Sequence, residues 1–222
     1  MSVMQQMERK LPWIIVVLAA IAGIAGFVAS KHLFDGRGPS SEAALQLQGT
    51  LLYPQPKPLP EFKLERADGR SLSKQDWQGR WRLVFFGFTH CPDVCPTTLA
   101  TTKAALAKLR SERPDADVAV SFVSIDPERD LPQQLATYVA FFDPGFEAAT
   151  GSQEQLLALT RAVGMIYAKV ATGSGPQDYT MDHSASLLII DPQARLVGLM
   201  RPPHQAEVMA ADLAALIDRQ EN

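Results

Sequence analysis

The chain has 222 residues, 46% hydrophobic and 20% charged, with a net charge of −3. That profile fits one ordinary globular domain plus an appendage. It argues against nucleic acid as a partner, because no basic run or stripe is present to neutralise phosphates.

The appendage comes first. Residues 1–10 form a short polar tail, and residues 11–30, LPWIIVVLAAIAGIAGFVAS, carry no charge. Twenty residues at ~1.5 Å rise span about the ~30 Å of a bilayer core, so a single transmembrane anchor is expected here. A signal peptide is the competing reading, since VAS at 28–30 suits cleavage, but its apolar core would be long for one. Arg9 and Lys10 before the segment nearly balance Lys31 and Arg37 after it, leaving orientation weakly encoded. The simpler arrangement keeps the short tail inside and translocates the rest. Residues 31–47 read as a stalk, and ~15 extended residues would reach about 50 Å. YPQPKPLP (53–60) reads as a stiff extended connection.

Residues 48–222 form the expected domain. FKLER (62–66) is a short strand before a turn at Asp68-Gly69. RLVFFGF (82–88) is a continuous apolar run, as in a strand buried on both faces. A helix follows over 97–110, with Leu99, Ala104, Leu106 and Leu109 as apolar positions, and VAVSFVSI (118–125) is the next buried strand. Asp130 with Gln133 predicts a capping box at the next helix, with Pro132 in its first turn. Ser152 with Gln155 repeats that signature, and Gly164 ends the helix. SLLIID (186–191) and RLVGLM (195–200) flank a Pro-Gln-Ala turn as a hairpin. The last helix, about 205–218, shows Met209, Leu213, Leu216 and Ile217 on one face. This order predicts an α/β thioredoxin-like fold: a central mixed sheet flanked by helices, with an insertion in the middle.

Both cysteines lie in FFGFTHCPDVCPTTL (85–99), directly after a central strand, where α/β sheets place their chemistry. Pro96 restricts the helix start to about Asp93–Pro96, so Cys95 falls in or beside the first turn and Cys91 just before it. Orphan N–H groups and the helix dipole favour thiolates there. Three readings stay open. A structural disulfide would close a loop too short to constrain the unfolded chain much. A dithiol–disulfide couple is reasonable chemistry, although redox enzymes of this fold usually space their cysteines by two residues. A metal site needs further donors, and soft thiolates with imidazole suit copper or zinc.

Four histidines are available. His32 lies on the stalk, His90 reads as a turn residue pointing away from Cys91, and His204 as a solvated or capping residue. His183 sits in YTMDHSASLLIID, in a loop before a core strand. In a thioredoxin-like domain that loop faces the cysteine turn, where a proline normally approaches; here a histidine occupies the region. His183 is therefore the candidate third donor.

GFTHCPDVCPTTL, SIDPERD (124–130) and DHSASLLIID (182–191) closely resemble the signatures of the Sco/SenC family of copper chaperones, in order and spacing, over roughly residues 45–218. The resemblance implies copper held by Cys91, Cys95 and His183, and a role in building the binuclear copper centre of cytochrome c oxidase. Three donors suit Cu(I), and Cu(II) with a weak extra ligand, whereas structural zinc would want a fourth. Asp182 is a candidate for orienting the imidazole; Met181 reads as a packed methionine and Asp126-Pro127 as a turn that shapes the site. The expected partners are the oxidase copper subunit, a copper donor and a thioredoxin-type reductant. The expected location is the inner membrane, with the domain in the periplasm. A thiol-disulfide reductase is the alternative function, and peroxide reduction a weaker third.

Overall fold

The computed structural model describes residues 19–30 and 47–221. Residues 19–30 form an apolar helix, α1, exposed along its length. No helix among the described residues is long and apolar enough to cross a membrane. The first part of the expected span and nearly all of the expected stalk lie outside the described residues.

From Leu47 the chain forms one compact unit. Its elements are β1 (Thr50–Pro58), β2 (Lys63–Arg66), β3 (Ser71–Ser73), β4 (Trp81–Gly87), α2 (Val94–Glu112), β5 (Val118–Ser124), α3 (Pro132–Phe142) and β6 (Glu147–Thr150). There follow α4 (Gln153–Ala162), β7 (Tyr167–Ala171), β8 (Tyr179–His183), β9 (Leu187–Ile190), β10 (Arg195–Met200) and α5 (Ala206–Glu221). Eight strands make one mixed sheet in the order β1-β10-β9-β4-β5-β6-β2-β3, while β7 and β8 pair only with each other. This is the thioredoxin-like α/β architecture expected from the pattern.

The apolar runs explain the centre. β5 is buried at every residue and β4 at all but Trp81, and the two pair in parallel from Trp81↔Val118 to Gly87↔Ser124. Helices cover such strands, so neither face needs polar residues. Arg82 is the one charge inside β4; Glu147 and Ser121 accept hydrogen bonds from its guanidinium, which makes its burial tolerable. β9 runs antiparallel to β4, with Leu187 opposite Phe85.

Several expectations are corrected. The proline-rich stretch is not a mere connection but the edge strand β1, paired with β10. Its register breaks between Leu52 and Lys57, so Pro54 and Pro56, which have no N–H to donate, fall outside the paired residues. In α2 the buried face includes Thr98, Thr102 and Ala105, and Ala104 points outward. The Thr102 hydroxyl donates to the Thr98 carbonyl at 2.8 Å, which satisfies it inside the core. Asp130 does not open α3. Leu131 is the N-cap, Pro132 the first helical residue, and the Leu131 N–H donates to Gln134 Oε1 at 3.1 Å. Strands β6 and β7 went unpredicted, and the segment before β9 is strand rather than loop through His183.

Candidate metal centre

β4 ends at Gly87, and the chain turns through Thr89 and His90 to Cys91, whose N–H donates to the Phe88 carbonyl at 3.3 Å. α2 then starts at Val94, within the range that Pro96 dictates. Cys95 in its first turn donates its backbone N–H to Cys91 Sγ at 3.4 Å, so the first sulfur occupies the place of a helix-capping acceptor. Both thiols are free; Cys95 is fully buried and Cys91 is 9% exposed.

His183 reaches them through the sheet. The Leu187↔Phe85 pairing returns the chain to the end of β4 where the cysteine turn leaves, and four residues earlier lies His183. Its Nε2 is 3.5 Å from Cys95 Sγ, and one donor atom from each of Cys91, Cys95 and His183 lies within 4.8 Å of the others. Metal–thiolate and metal–imidazole bonds of ~2.3 and ~2.0 Å, as at zinc, would set trigonal donors about 4 Å apart. The three donors are spaced for one ion.

The imidazole is held in one orientation. Phe85 and Phe88 meet it edge-on at ring distances of 6.0 and 5.9 Å. Its Nδ1–H donates to the Ser184 carbonyl at 3.1 Å, which leaves Nε2 with the lone pair that faces the sulfurs. Asp182, the expected orienting group, is exposed: strand alternation turns it away from the inward-facing Met181 and His183. Burial pushes the His183 pKa down, against the smaller opposing effects of the Ser184 carbonyl and the Asp182 charge, which favours the neutral ring that can ligate.

Cys95 departs from the expected thiolate. Burial raises its pKa above the ordinary thiol value, against the smaller lowering effect of the backbone hydrogen bond at Phe88. A cation entering the pocket therefore has to displace a proton from this sulfur.

Other expected residues are placed as follows. His90 is half-exposed, with Nδ1 3.1 Å from Thr89 Oγ1, and stands outside the donor trio. His204 is half-buried rather than solvated, and its Nε2–H donates to the Ala185 carbonyl at 2.8 Å. Met181 is packed, as expected.

Two supports escaped the sequence reading. A Cβ on Gly87 would lie 2.8 Å from both Cys95 Sγ and a Phe122 ring carbon, so only glycine leaves the sulfur its seat. An isolated glycine inside an apolar strand pattern was the available signal. Asp130, fully buried, accepts from the Thr89 N–H at 2.8 Å and the Thr89 hydroxyl at 2.6 Å, which sets the turn that delivers Cys91. Its charge made it look like a helix cap.

Comparison with known proteins agrees with the geometry. The SCO1/SenC family model matches residues 54–218. A Stutzerimonas stutzeri protein named for copper binding is 33% identical over 178 residues, covering 80% of this chain and 86% of that one. The mitochondrial SCO1 homolog 1 of Arabidopsis thaliana is 36% identical over 146 residues, 66% of this chain but only 43% of that longer protein. The structure of Arabidopsis thaliana ScoI with copper bound superposes with a TM-score of 0.66 at 34% identity, covering 72% of this chain and 98% of that one. The chain belongs to the SCO1/SenC family.

Proposed function

We propose that this chain is a membrane-tethered copper chaperone that holds copper between Cys91, Cys95 and His183 and passes it to the binuclear copper centre of cytochrome c oxidase. The carrying observation is the convergence of two sulfurs and a tautomer-fixed imidazole nitrogen within 4.8 Å. Two soft donors and one borderline donor suit Cu(I), which accepts three-coordination, whereas a structural zinc site wants a fourth strong ligand. Family membership supports the same cargo.

The donor set also accounts for transfer. Copper entering the pocket displaces the proton that burial favours on Cys95 Sγ. Three ligands leave one side open. A client thiolate entering there replaces one Cys sulfur, which takes back a proton, and the exchange continues without change of oxidation state. Disulfide formation between Cys91 and Cys95 would remove both thiolates, so loading depends on a reductant of the thioredoxin type, and a separate donor protein supplies the copper. Residues 11–30 anchor the chain in the inner membrane as a single span, with the domain in the periplasm.

Competition titration of the reduced full chain with Cu(I), beside Cys91→Ala, Cys95→Ala and His183→Ala, tests this. The expected result is one equivalent bound, near-complete loss without either cysteine, and more than a tenfold loss without the histidine. Unchanged affinity in His183→Ala, or equal loading of air-oxidised protein, would overturn it.

A thiol-disulfide reductase is the second reading, favoured by the two free thiols side by side. Cys91 and Cys95 would form a disulfide while a client disulfide becomes two thiols. His183→Ala separates the readings, because dithiol cycling has no need of the imidazole.

A further inference from the structure

The two parts of the donor set ride on separate pieces of backbone. The cysteines follow β4 of the large sheet, but His183 ends a two-stranded hairpin outside that sheet's hydrogen-bond ladder. Pairing of β9 with β4 brings His183 to the pocket, but the hairpin that carries it has to be held there by other contacts.

A continuous chain of hydrogen bonds does so. Thr89, two residues before Cys91, donates to Asp130 from its N–H at 2.8 Å and its hydroxyl at 2.6 Å. The Ser124 hydroxyl donates to the same Asp130 carboxylate at 2.6 Å and accepts from the Asp126 N–H at 3.1 Å. Asp126 in turn accepts from the Tyr179 hydroxyl at 2.7 Å, and Tyr179 lies four residues before His183 on β8. Arg129 closes the far end. Its Nε–H donates to Asp126 at 2.6 Å and its Nη1–H to the Tyr179 carbonyl at 2.9 Å, and its guanidinium lies 3.6 Å from the Tyr179 ring centre. Asp126, Asp130 and Tyr179 are buried, so water does not compete for these bonds. An exposed turn needs no such network.

We propose that the Asp126–Asp130 turn is a bracket that sets the spacing of the copper donors, and that Tyr179 is a positioning residue for His183. Asp130 aims the cysteine turn, and Asp126 with Arg129 aims the hairpin. The bracket touches no copper; it spares the site the entropy of ordering the histidine arm when the ion arrives. This rests on the reading of Cys91, Cys95 and His183 as copper ligands.

Tyr179→Phe, which removes one hydroxyl, tests the bracket in a cycle with His183→Ala. Cu(I) affinity of the reduced full chain is measured for the parent, both single variants and the double variant. Acting through the histidine, Tyr179→Phe lowers affinity about tenfold in the parent and changes it less than about twofold when His183 is already alanine. Hydrogen exchange of the metal-free chain supplies a second readout: amides of residues 167–183 exchange faster in Tyr179→Phe, while those of β5 do not. If that variant folds poorly, Arg129→Gln keeps the Tyr179–Asp126 bond, removes the hold on the Tyr179 carbonyl and should give the same pattern. Equal losses in both backgrounds, or no loss in either, would overturn the bracket. If His183→Ala itself leaves affinity unchanged, the ligand assignment falls first and the bracket with it, a failure distinct from the other two.

Discussion

The segment after β4 and the β7–β8 hairpin carry the candidate donors to the same pocket, yet the central strands and the hairpin are built by different means. β4 and β5 lie in the middle of an eight-stranded sheet, and all but one of their residues are buried. β7 is exposed from Ala168 to Ala171 and, among the described residues, pairs only with β8, which is tied to the turn after β5 through the Tyr179 hydroxyl. Burial of apolar area fixes the first region without polar help. The second buries only Tyr179 and Met181 and adds a few directed hydrogen bonds, each worth only about 1 kcal/mol net. The two cysteines are therefore seated by core packing, and the histidine by directed contacts to its ring and to Tyr179.

Substitutions that strike the two regions separately sharpen this contrast. Phe122→Ala removes a fully buried β5 ring that packs against Phe85 and Tyr138 at 6.1 and 5.4 Å. It should cost about 3–5 kcal/mol in denaturant unfolding; a loss below 1 kcal/mol would mean that the core is not where the stability lies. Gly87→Ala forces a methyl against Cys95 Sγ and Phe122, for about 1–3 kcal/mol. Its more telling result is weakened Cu(I) binding with every ligand still present, measured by the same competition titration.

The buried thiol gives a pH signature. The folded pKa of Cys95 lies above the unfolded value of ~8.5, so the folded state keeps its proton where the unfolded chain loses one. The resulting stability is complete below pH ~8.5 and declines as pH rises, by up to about 1.4 kcal/mol per pH unit. Unfolding of the reduced, metal-free chain and of Cys95→Ala between pH 8 and 10 should show this slope in their difference; parallel curves would place the sulfur in water. At the small end, Val170→Thr on the exposed face of β7 should shift stability by less than about 0.5 kcal/mol and leave copper affinity unchanged. A larger effect would show that the exposed face of β7 carries an apolar contact of its own.

How much of this was legible in the chain follows the same division. RLVFFGF and VAVSFVSI read directly as the paired central strands, because an unbroken apolar run is what a doubly covered strand requires. The turn and helix that carry Cys91 and Cys95 were legible because Pro96 and the end of the apolar run are local signals. β7 was not, since Tyr-Ala-Lys-Val-Ala has neither a regular apolar alternation nor a continuous apolar run to mark it as a strand.

The sequence alone determined the fold class, the position of both sulfurs and the candidacy of His183, all of which rest on short-range pattern or on motif resemblance. Tertiary structure decided what each polar group near them does. Asp130 became the support of the cysteine turn and not a helix cap, Asp182 turned outward while the Ser184 carbonyl took over the imidazole, and burial raised the Cys95 pKa. The reason is physical: a charge or hydroxyl has much the same local propensities wherever it occurs, and its role is set by burial and by partners that only folding brings within 3 Å.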